Sequence, residues 1–253
     1  VDTFTIKSID GTTKDVSFTI HGVNQGATIG NPSPAAVIED FNPILGRLTE
    51  TGQITITDPD TGEAKFQTAV TAAAGDKGQL VLAEDGTYTY SVANADVQYL
   101  GAGITKTDTF TIKSFDGTSK AVNFTITGVN DDAVIGDPSL ASVKEDLAVV
   151  GNRLSASGQL TVADVDAGES SFRTSVTAAA GDKGQLTLAT DGRYVYSVLN
   201  ADVQYLGVGV TKTETFTVKS FDGTAKDISF TITGANDAAV IGVPVPGAVT
   251  EDF

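Results

Sequence analysis

Apolar and polar residues alternate along much of this chain. Leu160 and Val162 fall on one face of "QLTVAD" (159–164), Leu186 and Leu188 on one face of "GQLTLA" (184–189), and Tyr194 and Tyr196 on one face of "RYVYSV" (193–198). "ETFTVKS" (214–220) and "DISFTITG" (227–234) set Phe216, Val218, Phe230 and Ile232 inward in the same way. Successive side chains on a strand point to opposite faces, so a period of two marks a strand with one buried face. "SSFRTSVTA" (170–178), with Phe172 and Val176 inward, reads as a further strand, and a first strand is expected to run from Ala133–Ile135 through Ala141–Lys144. "TDG" (190–192) and "FDGTAK" (221–226) carry the Asp-Gly pair of tight hairpins, and "ADVQYL" (201–206) reads as a short helical crossover. About seven strands with regular turns and no long helix predict an all-β, immunoglobulin-like sandwich with Greek-key connections.

The same pattern returns at a fixed interval. "DTFTIKS" stands at 2–8 and 108–114, and "ETFTVKS" at 214–220, so Phe4, Phe110 and Phe216 lie 106 positions apart. "VTAAAGDKGQL" (70–80, 176–186) and "NADVQYLG" (94–101, 200–207) recur unchanged. This period is too long for a solenoid unit and fits an independent sandwich. The phase predicts a partial repeat at 1–26 (the last two strands of a sandwich), whole sandwiches at 27–132 and 133–238, and the first strand of a further repeat at 239–253. The chain opens inside a strand pattern without a charged-then-apolar leader, so a fragment of something longer is expected.

Composition narrows the function. Of 253 residues none is Cys, Met or Trp, one is His, and the formal charge is −16. That charge disfavours nucleic acid and anionic membranes as partners and favours cations. No stretch suits insertion into a membrane. Without Cys there are no disulfides, so a domain working outside the cell needs another stiffener.

The acids cluster where cations could use them. Asp164, Asp166 and Glu169 crowd the loop after the second strand, as do Asp58, Asp60 and Glu63 one repeat earlier. In a simple sandwich that loop and the last hairpin, with Asp222 or Asp116, share the pole facing the preceding linker. The middle linker supplies Asn130, Asp131 and Asp132, and the others supply Asn24, and Asn236 with Asp237. The 12 steps from Ala133 to Glu145 span about 40 Å at roughly 3.3 Å per residue. Glu145 should therefore lie at the far pole beside Asn236 and Asp237, and Glu39 beside Asn130 and Asp131. Oxygen donors in flexible loops suit Ca2+ better than Mg2+, and without soft ligands zinc is disfavoured. The loop is not an EF-hand, because Gly168 and Ser175 fall at the wrong positions. In the first linker Gln25 and Gly26 replace two acids, which predicts a weaker site there.

The string from "ITDPDTGEAKF" through "GQLVLAEDGTYTYSV" and "VQYLGAGITKTDTFTIKSFDGTSKAVNFTITGVNDDAVI" resembles the VCBS-type repeats of bacterial giant surface adhesins of the RTX class. The likeness covers nearly the whole chain. It implies cadherin-like or immunoglobulin-like extender domains, exported by type I secretion and strung in tandem on the cell surface. Such extenders form an elongated rod that holds calcium at its linkers and projects a terminal binding module. The partners implied are adjacent repeats of the same chain, with the protein a monomer in cis. Glu39 and Glu145 match the first-strand glutamate of cadherin repeats. The glycine-rich nonapeptide calcium repeats of RTX proteins are missing from this sequence.

Bland roles compete for several residues. Asp85 and Asp191 precede Gly and read as turn residues, "GDKG" (75–78, 181–184) as a turn, and Tyr99 and Tyr205 as packing; a plain turn also competes for Asp116 and Asp222, which precede Gly, and for Asp58 and Asp60, which flank Pro59, and solvated loop charge for Asp164 and Asp166. His21 is replaced by Thr127 and Thr233 in the other copies. A binding module for sugars or like chains is the alternative function, but the loops repeat almost verbatim and no copy carries a distinctive aromatic cluster. An enzyme is not expected: no Ser-base pair or paired carboxylates stand apart from the linker acids.

Overall fold

The computed structural model describes residues 1–248, 250 and 251. Two compact units meet between Val129 and Asn130, three residues before the boundary that repeat phase predicts. The reason is bonding: the N–H groups of Asp131 and Ala133 donate to Asp166 and Asp222 of the second unit.

The first unit opens with a hairpin of β1 (Asp2–Lys7) and β2 (Thr13–Phe18), with Phe4 opposite Val16. Phe4, Ile6 and Phe18 are 56%, 57% and 58% exposed, although their copies Phe110, Ile112 and Phe124 are buried. The hairpin thus has the strands of a sandwich without the core that covers them.

The sandwich that follows comprises β3 (Thr28–Ile29), β4 (Ala36–Ile38), β5 (Arg47–Gln53), β6 (Ile56–Thr57), β7 (Thr71–Ala72), β8 (Gln79–Leu82), β9 (Thr87–Ala93), β10 (Thr105–Lys113) and β11 (Ser119–Thr127). One sheet runs β4-β11-β10-β7 and the other β5-β9-β8, while β3 pairs with β6. β4 joins β11 in parallel; the other pairings are antiparallel. Alternate residues meet between the sheets. Tyr88, Tyr90 and Val92 of β9 face Phe110, Ile112, Phe124 and Ile126, with Tyr90 stacked on Phe124 at 4.5 Å between centroids. Each such side chain contributes on the order of 1.5–3 kcal/mol by leaving water.

The second unit repeats this plan with β12 (Val134–Ile135), β13 (Ser142–Lys144), β14 (Arg153–Gln159), β15 (Val162–Ala163), β16 (Thr177–Ala178), β17 (Gln185–Leu188), β18 (Arg193–Leu199), β19 (Thr211–Lys219) and β20 (Ala225–Thr233). Its sheets are β13-β20-β19-β16 and β14-β18-β17, with β12 paired to β15. Tyr196 stacks on Phe230 at 4.4 Å.

Several strand expectations are corrected. The first strand is not continuous: β12 pairs with β15 and β13 crosses to β20. Pro138, which has no N–H to give a ladder, lies between them, and a Cβ on Gly136 would meet Thr161 Oγ1 at 2.2 Å. Residues 153–159 form a strand that the pattern hides, because its inward residues are Leu154, small Ala156 and Gly158; a Cβ on Gly158 would meet Tyr194 Oη at 2.5 Å. Residues 159–164 are not one strand either, since Leu160 turns aside and its N–H donates to Gly192 O at 2.9 Å. Of 170–178 only Thr177–Ala178 is strand, with a single bridge from Phe172 to Ser220. Val162 and Val176 pack on the core only partly buried. Among the described residues after Thr233 no strand forms; the matching stretch at 28–38 pairs with β6 and β11, which follow it in sequence. Val249, Asp252 and Phe253 lie outside the described residues.

Candidate metal centre

At one pole of the first unit the loop 58–63 closes on itself. Asp60 N–H donates to Asp58 Oδ1 at 2.8 Å, Glu63 N–H donates to Asp60 O at 3.2 Å, and Gly62 takes φ +86°. The carboxylates of Asp58, Asp60 and Glu63 can each place an oxygen within 4.8 Å of the others, a spacing that can hold a metal ion. The linker seals this pole through its backbone. Gln25 N–H donates to Asp60 Oδ2 at 2.7 Å, Ala27 N–H to Asp116 Oδ2 at 3.3 Å, and the Asn24 amide reaches Asp116 at 3.5 Å. Hydrogen bonds from Ser114 and Thr118 hold the Asp116 carboxyl well below the usual range, so it remains an anion.

The second unit builds the same pole with more acid. Asp166 N–H donates to Asp164 Oδ1 at 2.9 Å and Asp131 N–H to Asp166 Oδ2 at 2.9 Å. Asp222 takes Ala133 N–H at 3.4 Å. Partial burial would raise the Asp222 carboxyl, but hydrogen bonds from Ser220 and Thr224 outweigh it and hold the group low. Desolvation, then the charges of Asp166, Asp164 and Asp222, push the Glu169 carboxyl up. Asp132 and Asn130 are exposed, and the Asn130 amide donates to the Asp131 carbonyl at 3.1 Å.

Three carboxylate oxygens decide how these poles read. Asp58 Oδ2, Asp164 Oδ2 and Asp166 Oδ1 are buried and take no hydrogen bond. A buried acceptor without a donor is unfavourable, more so when it is charged. A divalent cation would supply the missing partner. All these donors are hard oxygens, so the residues fit Ca2+.

The opposite poles hold the first-strand glutamates. Glu39 is 1% exposed, and Val129 N–H donates to its Oε2 at 3.0 Å. Glu145 is likewise 1% exposed and takes Ala235 N–H at 2.8 Å. Each therefore reaches the residue just before its linker Asn, although the path there is a split strand. Asp237 comes to the carboxylate of Asp146, and the Asn236 amide turns back to the Asp237 carbonyl at 3.2 Å. The Asp146 carboxyl is held low, first by Asn200 and then by Gln204.

Sequence reasoning missed the residues beside these glutamates. Asp40, Asn94 and Gln98, and their copies Asp146, Asn200 and Gln204, surround Glu39 and Glu145. The unchanged "NADVQYLG" held the signal, because a plain crossover has no need of the same Asn and Gln twice.

The sequence profile of the bacterial cadherin-like domain matches residues 27–128 and again 130–234. No curated protein sequence matches the chain. Among solved structures, the protocadherin GammaB4 extracellular domain superposes with a TM-score of 0.51 at 13% identity, over 92% of this chain and 41% of that one. Protocadherin Gamma B2 extracellular cadherin domains 1-5 give 0.51 at 12% identity, over 93% and 51%. PcdhgB3 EC1-4 gives 0.49 at 11% identity, over 93% and 64%, so this chain spans less than two thirds of each of these structures. At such identity the likeness to the first two is one of fold.

Proposed function

Since this chain belongs to the bacterial cadherin-like domain family, we propose that it is a spacer region of a cell-surface adhesin, stiffened by Ca2+ bound at its linkers. The buried, unpartnered oxygens of Asp58, Asp164 and Asp166 carry this reading. Near-verbatim tandem copies support it, because a spacer needs length rather than distinct sites. The proposed ligands are Asp58, Asp60, Glu63 and Asp116 with Asn24 in the first set. The second set is Asp164, Asp166, Glu169 and Asp222 with Asn130, Asp131 and Asp132, and Glu39 is a further ligand at the opposite pole of the first unit. Glu145, Asn236 and Asp237 begin a third. The resemblance to VCBS-type repeats extends the proposal to an RTX adhesin outside a bacterial cell, reaching the surface by type I secretion.

A short linker between sandwiches is a hinge by default. Carboxylates crowded around it repel one another until a cation joins them. Small-angle scattering with calcium and then with chelator tests the proposal. A narrower spread of dimensions in calcium is expected; the same spread in both conditions would show that calcium is not the stiffener.

A further inference from the structure

We infer that Gln98, and in the second unit Gln204, are positioning residues that keep the first-strand glutamates ready for the cation; this rests on the calcium reading above. The Gln98 side-chain amide donates to Glu39 Oε1 at 2.9 Å and to Asp40 Oδ1 at 3.0 Å. Gln204 does the same to Glu145 at 3.1 Å and to Asp146 at 3.0 Å. One neutral group thus bridges two neighbouring carboxylates in both units.

The surrounding chain is built to hold that bridge. Val97 and Leu100, 0% and 3% exposed, anchor the crossover on either side of Gln98. Asn94, at the start of the 3-10 turn Asn94–Asp96 that precedes Gln98, donates its amide to Asp40 Oδ1 at 2.5 Å and accepts Asp40 N–H at 3.0 Å. Asp40 takes φ +56°, unusual for a residue other than Gly, which turns its carboxylate back toward the crossover. Glu39 continues the β4 register, its N–H donating to Thr127 O at 2.9 Å. Its carboxylate is then fixed by Val129 N–H on Oε2 and Gln98 on Oε1.

The chemistry explains why an amide sits here. Two adjacent carboxylates repel, and a buried one needs donors. A Lys or Arg would satisfy both but cancel the negative charge that attracts a cation. A Glu would keep the charge but add repulsion and give no donor. Gln satisfies the oxygens and leaves the pole negative. Its hold on Glu39 therefore lowers the ordering that calcium binding must impose.

Calorimetric calcium titration and melting in chelator, on the whole chain, test this with wild type, Gln98→Ala, Gln98→Glu and Gln98→Ala/Gln204→Ala. Groups that orient metal ligands commonly change affinity about 10–100-fold when lost. Gln98→Ala should weaken at least one calcium site about 10-fold, and the double variant should weaken a second. Gln98→Glu should melt lower than wild type in chelator and gain more from added calcium. An unchanged calcium affinity in Gln98→Ala, with melting lowered equally in calcium and chelator, overturns the inference in favour of plain packing. Tighter binding by Gln98→Glu without lower melting in chelator also overturns it, showing that this side chain ligates the ion through oxygen. A wild-type chain that takes up no calcium overturns the calcium reading itself, and this role with it.

Discussion

The phenol of Tyr90 donates to Asp108 Oδ2 at 2.9 Å beneath the aromatic stack of the first sandwich, and Tyr196 makes the same bond to Glu214 Oε2 at 2.7 Å in the second. Both carboxylates are fully buried, and each also takes a glycine N–H, from Gly78 at 2.6 Å and Gly184 at 2.8 Å, and an ion pair from Lys106 or Lys212. Removing one partner of a buried, hydrogen-bonded pair typically costs about 3–5 kcal/mol. Asp108→Ala and Glu214→Ala are each expected to approach the lower figure, since the lysines keep some access to water. Urea unfolding of the metal-free chain checks this, and a loss below about 1 kcal/mol would remove the pair from the account.

The same groups set an acid limit. For Asp108 and Glu214, burial raises the pKa, but the lysine, tyrosine and backbone partners outweigh it and the net shift is downward. A depressed carboxylate contributes stability that is full above its unfolded value of about 4 and lost as pH falls through its folded value. Lys212 is shifted upward: burial opposes the shift, and bonding to Glu214 overcomes it. Its contribution is full below about 10 and lost as pH rises through the folded value. Melting in chelator should therefore fall below about pH 4 as Asp108 and Glu214 protonate and above about pH 10 as Lys212 loses its proton, with only a shallow decline just above about pH 4 from Glu169, whose carboxyl is pushed up. A steady slope across neutrality would contradict this.

The hairpin β1–β2 contributes no core, because Phe4, Ile6 and Phe18 are mostly exposed. Deleting residues 1–22, which leaves Asn24 and Gln25 on their acidic pole, should change the stability of the first sandwich by less than about 0.5 kcal/mol. Differential scanning calorimetry of the two chains measures it. A larger loss would mean that the hairpin packs on the sandwich.

The two acidic poles should bind calcium unequally. Among the described residues the second unit has unpartnered buried oxygens on Asp164 and Asp166, and the first on Asp58. Asp131 also stands where the first linker has Gln25, although both backbones make the same bond to the loop. Asp164→Ala with Asp166→Ala should abolish the tightest site in a calorimetric titration, and Asp58→Ala with Asp60→Ala a weaker one. Equal losses would show that the linker acids do not set affinity.

The sequence made the long hairpin strands legible because Phe216, Val218, Phe230 and Ile232 alternate cleanly and all are buried. It hid β14, where Ala156 and Gly158 do the packing, and the broken first strand, whose two halves choose partners in different sheets. At the candidate site the acids were visible because like charges crowd in a loop. Gln98 and Asn94 were not, since an uncharged amide in a crossover shows its purpose only when its partners, more than fifty residues away in sequence, come into place.

The central claim is that these carboxylates are arranged for a divalent cation, and thermal unfolding in chelator, then in Ca2+ and then in Mg2+, tests it most directly. A ligand bound only by the folded state adds RT ln(1 + [L]/Kd), and extracellular calcium modules commonly have Kd near 10⁻⁴–10⁻³ M. At 1 mM calcium this amounts to about 0.4–1.4 kcal/mol per site, with a rise in melting temperature, and magnesium should add less. A melting temperature that does not move between chelator and millimolar calcium would contradict the account.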